Sequence, residues 1–153
     1  MKFKVLPVTS EHIPGIAEVE KTCFAQPWSA QSLTAELAKE NAAMFVALKS
    51  DSEVIGWAGL EHICGEGSVT NVAVQLQERR HGVGEALTRA LLSESIKLSL
   101  DWLMLEVRTS NVTAISLYRK LGFEPVGIRP YFYDFPREDA LLMRHTLDNG
   151  ADV

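Results

Sequence analysis

The stretch Arg79-Arg80-His81-Gly82-Val83-Gly84 decides the fold, because it stands where an apolar strand gives way to a helix. Val72, Ala73 and Val74 end the predicted strand. After the turn, apolar residues recur at the spacing of one helical face, at Val83, Leu87, Ala90, Leu91 and Leu98. A helix that begins in such a turn presents unpaired N–H groups and the positive end of its dipole. The turn therefore predicts an anion site, suited best to a phosphate.

Two common phosphate-binding patterns fail at this turn. A dinucleotide fingerprint requires Gly or Ala where Leu87 stands, and a P-loop requires Gly-Lys followed by Ser or Thr. A nucleotide-dependent enzyme is therefore disfavoured. What remains is Arg-x-x-Gly-x-Gly, in which Gly82 and Gly84 allow a ligand to approach the backbone while Arg79 and Arg80 supply positive charge. The alternative interpretation is an ordinary strand-to-helix turn with solvated arginines.

Composition indicates an ordinary globular protein. The 153 residues are 46% hydrophobic and 23% charged, with a net charge of −5, which predicts a single domain over 1–147 with 148–153 as a disordered tail. No stretch is apolar enough for a membrane span, and the acidic balance argues against nucleic-acid binding. The N terminus does not resemble a signal peptide, so a cytoplasmic protein is expected. Cys23 and Cys64 lack a zinc-binding spacing, so no metal is expected. The sequence leaves the oligomeric state open, with a monomer favoured.

The rest of the chain predicts alternating strands and helices. Strands are expected near 2–8, 43–48, 53–64, 68–74, 102–107, 123–128 and 139–147, and helices near 10–23, 29–39, 83–98 and 112–121. This order predicts an α/β (α+β) three-layer sandwich, a mixed, mostly antiparallel sheet of about seven strands flanked by four helices. The strands on either side of the third helix should be parallel, which places Val74, Val107 and therefore Glu106 at the rim that carries the anion turn. The aromatic stretch 130–136 is predicted as a loop, either a lid or ordinary packing.

Several separated pieces resemble the RimI-type members of the GNAT superfamily, the ribosomal-protein alanine N-acetyltransferases. They are Pro27-Trp28-Ser29, Asn71 to Val74, the glycine turn, Leu105 to Phe123 and Arg137 to Met143. The resemblance covers nearly the whole chain and implies a GNAT-like fold with acetyl-CoA as co-substrate. It also implies that the acceptor is a protein N terminus, above all the N-terminal alanine of small-subunit ribosomal protein eighteen.

The resemblance also assigns roles to individual residues. Acetyl-CoA contacts fall on Val72, Ala73, Val74, Arg79, Arg80, His81, Gly82, Val83, Gly84, Glu85 and Asn111, and acceptor contacts on Trp28, Tyr131 and Tyr133. Glu106 matches the family's proton acceptor and Tyr118 its proton donor. The sequence departs from the family pattern at His81, where arginine is commoner. It departs again after Arg129, where only Tyr133 matches the usual Asn-Tyr-Tyr.

The chemistry of these residue types suits acetyl transfer. A carboxylate can accept the proton of an attacking amine, a tyrosine can protonate a departing thiolate, and backbone N–H groups near 72–74 can stabilise an oxyanion. Neither cysteine lies in the predicted site, so a sequential mechanism through a ternary complex is expected. The alternative functions are acetylation of lysine or of a small-molecule amine, and a non-catalytic acyl-CoA-binding module.

Without the resemblance, each of the assigned polar residues has an ordinary structural interpretation. Glu106 would be a solvated carboxylate at a strand end, paired with Arg108. Tyr118 would be a core aromatic, and Asn111 a helix cap.

Overall fold

The computed structural model describes residues 2–50 and 53–147, and within them the chain forms seven strands and four helices. The strands are β1 Phe3–Pro7, β2 Ala42–Lys49, β3 Glu53–Ile63, β4 Glu66–Val74, β5 Trp102–Arg108, β6 Glu124–Asp134 and β7 Arg137–Thr146. The helices are α1 Ile13–Cys23, α2 Ala30–Leu37, α3 Val83–Lys97 and α4 Val112–Lys120. The predicted order is confirmed. The predicted tail at 148–153, and Asp51 and Ser52 between β2 and β3, lie outside the described residues.

One mixed sheet contains all seven strands, in the order β1-β2-β3-β4-β5-β7-β6. Neighbouring strands are antiparallel except β4 and β5, which are parallel as predicted. The parallel pair is short, because it joins only residues 66–68 of β4 to residues 102–104 of β5. Beyond Ser68 the two strands separate, and their carboxyl-terminal halves border an opening in the sheet.

Helices cover both faces of this sheet. The side chains of β3 are divided between two cores: Ile55 and Ala58 pack with α3 and α4, whereas Trp57 packs with α1 and α2. The pairing of β3 with β2 leaves Ile55 as an extra residue, and this bulge shifts the alternation of the side chains. A strand buried on both faces has the nearly continuous apolar sequence that β3 shows. None of the helices within 2–50 and 53–147 has the length and apolarity needed to cross a bilayer.

The prediction of a loop over 130–136 is wrong. Strand β6 continues to Asp134, and Phe135 and Pro136 alone connect it to β7. The proline at 130 cannot donate to the ladder, and between Arg129 and Tyr133 the pairing with β7 shifts, with three residues of β6 facing one of β7. Within this bulge Tyr131 has a φ of 54°, and its N–H donates to Asp139 Oδ1 at 2.9 Å. Regular pairing therefore resumes only at Tyr133, after an interruption that the sequence presents as a loop.

Candidate active site

A cavity of about 490 Å³ fills the opening between β4 and β5. Its walls come from the end of α1, both strands, α4 and the β6–β7 hairpin: Cys23, Phe24, Ala25, Val69, Thr70, Asn71, Val72, Arg79, Leu105, Glu106, Val107, Arg108, Asn111, Ala114, Tyr118, Phe132, Tyr133 and Phe135. A second cavity of about 390 Å³ adjoins it and adds Glu20, Gln26, Trp28 and Asp134. The predicted proximity of the turn and β5 is reflected in Arg79 and Glu106, which line the same cavity.

Strand β4 bulges at the start of the opening. Its pairing with β3 passes from Val69 to Asn71 and leaves Thr70 as an extra residue. The Thr70 hydroxyl is buried and makes no hydrogen bond within the described part of the chain. A buried hydroxyl without a partner is costly, so this position is suited to a ligand that supplies the missing hydrogen bond.

Beyond the bulge, β4 directs backbone polar groups into the cavity. The N–H of Gln75 donates to Ile55 of β3 at 2.8 Å, and ladder groups of an antiparallel pair alternate in direction. Val72 and Val74 therefore face away from β3, toward the opening. The Val74 carbonyl accepts hydrogen bonds from Arg79 Nε at 3.1 Å and from the Cys23 thiol at 3.3 Å. The N–H of Val74 lies on this side of the strand as well, and the N–H of Val72 donates to Asn71 Oδ1 at 3.1 Å.

The glycine turn leads from β4 into α3. Arg80 and Gly82 have positive φ values of 66° and 83°, and Gly82 occupies the cap position of α3 without a side-chain cap. The N–H groups of the first helical turn, Val83 to Glu85, are consequently left for an external partner. Arg80 and His81 are exposed beside them. This arrangement fits a phosphate, because N–H groups, the helix dipole and a cation converge on one point.

Glu85 contributes a negative charge at this helix terminus, but two cations hold it. It pairs with Lys120 at 2.8 Å and with Arg89 at 3.0 Å. These hydrogen bonds, that from Lys120 first, lower the pKa of the Glu85 carboxyl. The lysine and the arginine offset the charge that would otherwise oppose an anion at the turn.

Glu106 lies on the cavity side of β5. Its side chain is 26% exposed, and Oε1 is 3.6 Å from Nη1 of Arg129 on β6. The interpretation that Arg108 pairs with Glu106 is wrong. Arg108 instead contacts Glu138 at 3.3 Å and donates to the carbonyl of Pro136 at 2.8 Å, with its guanidinium 4.3 Å from the centre of the Tyr133 ring. Arg108 thereby ties the β6–β7 hairpin to β5 and leaves Glu106 directed at the cavity.

Two tyrosines line the cavity together with Glu106. Tyr118 is 8% exposed and packs its ring on Phe123, with centroids 5.8 Å apart, so it is both a core residue and a lining residue. Burial, and then the neighbouring Tyr133, raise the pKa of Tyr118 to about 12. Burial, followed by the charge of Glu106, raises the pKa of Tyr133 to about 12. Both phenols are therefore protonated at neutral pH and lie within electrostatic reach of one another.

Other predicted site residues lie in different places. Asn111 caps α4, because its Oδ1 accepts a hydrogen bond from the N–H of Ala114 at 3.1 Å, which confirms the helix-cap interpretation. It also lines the cavity, so its cofactor contact stays a prediction. Trp28 lines the second cavity, whereas Tyr133 lines both. Tyr131 is 71% exposed and lies outside both cavities.

Sequence reasoning missed several lining residues. The expectation that neither cysteine lies in the site is wrong for Cys23, which reaches the cavity from the end of α1, 51 residues from its contact Val74. No local pattern signals such a contact. Phe132, the neighbour of Tyr133, also lines both cavities. Neighbouring side chains of a regular strand point to opposite faces, and the bulge of β6 interrupts this alternation. Across residues 2–50 and 53–147, His, Cys, Asp and Glu side chains form no group of three that could hold a metal.

A sheet that opens between two parallel strands, beside a phosphate-suited turn and a cleft with a carboxylate and a protonated phenol, is the arrangement of an acyl-CoA-dependent acyltransferase. The profile of the Acetyltransferase (GNAT) family matches residues 13–123. The chain belongs to this family, whose members use an acyl-CoA co-substrate. The matched region includes β4, the glycine turn, β5 and α4.

Two related sequences and one crystal structure show which members of the family this chain resembles. The [ribosomal protein bS18]-alanine N-acetyltransferase of Escherichia coli (strain K12) is 32% identical over 133 residues, which are 86% of this chain and 88% of that protein. The N-alpha-acetyltransferase RimI of Mycobacterium tuberculosis is 32% identical over 140 residues, covering 88% and 85%. The crystal structure of the ribosomal-protein-S18-alanine N-acetyltransferase from Escherichia coli superposes with a TM-score of 0.85 at 29% identity, over 95% of this chain and 94% of that one. The predicted fold and family resemblance are confirmed.

Gly82→Val is expected to weaken binding of the acyl-CoA co-substrate. A valine has no favourable conformation at a φ of 83°, and left-handed backbone costs about 1–2 kcal/mol for a residue with a side chain. The turn should therefore relax and turn its N–H groups away from the phosphates. Isothermal titration with coenzyme A measures the effect. Ser93→Val, at an exposed position of the same helix, is the control, and equal affinity of both variants would contradict the prediction.

Proposed function

We propose that the protein transfers an acetyl group from acetyl-CoA to the N-terminal α-amino group of a protein, with the N-terminal alanine of ribosomal protein bS18 as the preferred acceptor. The observation that carries the proposal is that Glu106 and Tyr118 line one cavity, in the opening between β4 and β5. The acceptor is suggested by the relatives, which are about one-third identical over most of the chain.

Acetyl-CoA would bind along the edge of β4. Its pyrophosphate would accept hydrogen bonds from the first N–H groups of α3, with Arg80 and His81 beside it. Its pantetheine would continue along Val72 to Val74, where backbone groups face the opening, with Asn111 on the other side. The thioester would then lie near Val72, between the carboxylate of β5 and the phenol of α4.

The residues of the cavity supply each proton movement of the reaction. An α-amino group has a pKa of about 7.7–8.0, so it needs only modest help to lose its proton. The Glu106 carboxylate would accept that proton, directly or through a water. The Val74 N–H could stabilise the tetrahedral oxyanion, as could the Val72 N–H once it releases Asn71 Oδ1. Tyr118, whose pKa is about 12, would still carry the proton that the departing thiolate requires.

The second cavity suits the acceptor chain. Phe24, Trp28, Phe132, Tyr133 and Phe135 give it aromatic walls, and it opens directly onto the first cavity. Extended peptides commonly bind such clefts through their backbone, and the unpartnered Thr70 hydroxyl lies where the two cavities meet. Trp28 and Tyr133 are therefore proposed as acceptor contacts. Tyr131 would contribute only if a longer acceptor reached the outer face of the hairpin.

Acetyl transfer to two peptides tests the function. One has a free N-terminal alanine, and the other has the same sequence with a blocked N terminus and internal lysines. Labelled acetyl should reach the free alanine and not the blocked peptide. Transfer to the blocked peptide would shift the function to lysine acetylation, whose amine has a pKa of about 10.4. Transfer to neither would favour a small-molecule acetyltransferase or a non-catalytic acyl-CoA-binding module.

Cys23→Ser is expected to leave turnover within a few-fold of the wild type. Although its thiol lies in the cavity, it donates to the Val74 carbonyl, and direct attack of the amine needs no acetyl-enzyme. Labelled acetyl-CoA, mixed with enzyme in the absence of acceptor, should leave no label on the protein. Cys64→Ser, at the exposed cysteine, is the control. Label on Cys23 together with loss of turnover in Cys23→Ser would establish a ping-pong mechanism.

A further inference from the structure

A buried carboxylate forms part of the wall of the second cavity, which is proposed above to hold the acceptor chain. Glu20 of α1 is 0% exposed. Its Oε1 accepts a hydrogen bond from the Trp28 N–H at 2.9 Å, and its Oε2 accepts from Trp57 Nε1 at 2.9 Å and from Asn71 Nδ2 at 2.6 Å. Every partner is an N–H donor, so the site matches an acceptor-only carboxylate.

Two of these hydrogen bonds join opposite walls of the acceptor cavity. Trp28 belongs to the segment 24–28, which follows α1 and forms one wall. Asn71 follows the bulged Thr70 on β4 and forms the other. Asn71 also accepts, through Oδ1, a hydrogen bond from the Val72 N–H at 3.1 Å. Glu20 is thus connected through one side chain to a backbone group that faces the acetyl-transfer region.

The Glu20 carboxylate combines a cost of burial with hydrogen bonds that oppose this cost. Burial raises the pKa of Glu20, against the opposing hydrogen bonds from Trp28 and Trp57, which is the effect of a charge removed from water. An apolar side chain of similar volume would avoid this desolvation but would leave the N–H groups of Trp28, Trp57 and Asn71 without an acceptor. The carboxylate does what an apolar side chain cannot, since it joins an N–H of each wall to one rigid group.

We infer that Glu20 is a positioning residue for the acceptor. It sets the spacing between the segment 24–28 and the bulge of β4, and through Asn71 it orients the Val72 N–H. This inference rests on the proposed function, because it concerns the acceptor end of the same site. It involves no contact between Glu20 and the reacting atoms.

Glu20→Gln tests the inference. A glutamine amide must direct an N–H at one of the three donors. The orientation with the fewest conflicts places that N–H against Trp28, because the opposite orientation opposes both Trp57 and Asn71. We expect the KM for the alanine peptide to rise about tenfold or more, since displacements near 1 Å in a positioned site carry effects of this size. Binding of acetyl-CoA, measured by titration, should stay within twofold of wild type.

A second substitution separates positioning from stability. In Glu20→Gln/Asn71→Asp, the new amide at position 20 can donate to the new carboxylate at position 71 and return its oxygen to the Trp28 N–H. The Trp57 N–H then faces an amide, so the double variant should remain less stable than wild type by thermal unfolding. Its KM for the peptide should nevertheless fall back toward wild type. Recovery of KM without recovery of stability is the result that a merely structural role would not produce.

Glu36→Gln is the matched control, because Glu36 is also a buried carboxylate but lies on α2 beside Lys39 and Glu61, outside both cavities. An equal rise in peptide KM in this control would overturn the inference. So would an unchanged KM in Glu20→Gln, or a double variant whose KM stays as high as that of the single one. Wild-type enzyme that fails to acetylate the alanine peptide would instead reject the proposed function, so the two failures are distinguishable.

Discussion

Glu106→Gln is expected to lower kcat/KM for the alanine peptide by about 100-fold or more, the usual size of a lost general base. Glutamine fills the same space on β5 and keeps a hydrogen-bonding oxygen near Arg129, so the cavity should keep its shape. What it removes is the proposed acceptor of the proton of the attacking amine. Steady-state rates over a range of pH, with saturating acetyl-CoA, measure the loss.

The pH dependence of this loss identifies its cause. The α-amine has a pKa of about 7.7–8.0 and loses its own proton above that range, so the deficit of Glu106→Gln should shrink as the pH rises. Glu124→Gln, an exposed carboxylate at the start of β6, is the control and should act like wild type. A deficit that is constant with pH would contradict a general-base role and would instead assign Glu106 to binding or to shaping the cavity.

Tyr118→Phe is expected to lower kcat by about 100-fold with little change in stability or in the KM for the peptide. The ring would keep its packing on Phe123, and only the hydroxyl, the proposed proton donor to the thiolate, would be lost. Because the pKa of Tyr118 is about 12, the wild-type rate should show no decline from its ionisation up to about pH 10. Pre-steady-state release of coenzyme A, with thermal unfolding in parallel, separates the chemical defect from a folding defect.

Tyr133→Phe is the control for Tyr118→Phe, because both tyrosines line the same cavity. Tyr133 shares the raised pKa of about 12 and lines the same cavity, but it also supports the Arg108 guanidinium through its ring, which phenylalanine would retain. If Tyr118 is the proton donor, Tyr133→Phe should affect the KM for the peptide more than kcat. A larger loss of kcat in Tyr133→Phe than in Tyr118→Phe would transfer the donor role to Tyr133.

The fold could be predicted because its signals are local. Ser29 caps α2, because its side chain accepts a hydrogen bond from the Ser32 N–H. Pro14 lies in the first turn of α1, where a helix tolerates proline. The 130–136 segment could not be predicted in this way. Its proline and its aromatic residues are compatible with a loop, and its strand pairing depends on β7 and on the Asp139 side chain.

The site was predictable in part, for a related reason. The positions of Val72, Glu106 and Tyr118 beside one cavity could be predicted, because short motifs and the order of the strands locate them. Cys23 and Glu20 could not, since each reaches the site from α1 and meets its partner on β4 51 residues away. Proximity in the sequence predicts Glu106 as the partner of Arg108, whereas the β6–β7 hairpin brings Glu138 closer to it.

The short contact between β4 and β5 gives distant residues control over the cleft. Three residue pairs at the far end of the two strands set the angle at which the sheet opens, and Gly67 lies at the centre of this vertex. A Cβ at this position would be 2.8 Å from Leu100 Cδ1 and 3.1 Å from the carbonyl of Trp102, so a larger residue would require the Leu100 side chain to move and the Trp102 backbone to shift by a few tenths of an ångström. The width of the opening that holds the proposed catalytic residues therefore depends on a contact outside both cavities. A substitution among these paired residues would therefore change the rate of the proposed reaction, although every proposed catalytic side chain would stay the same.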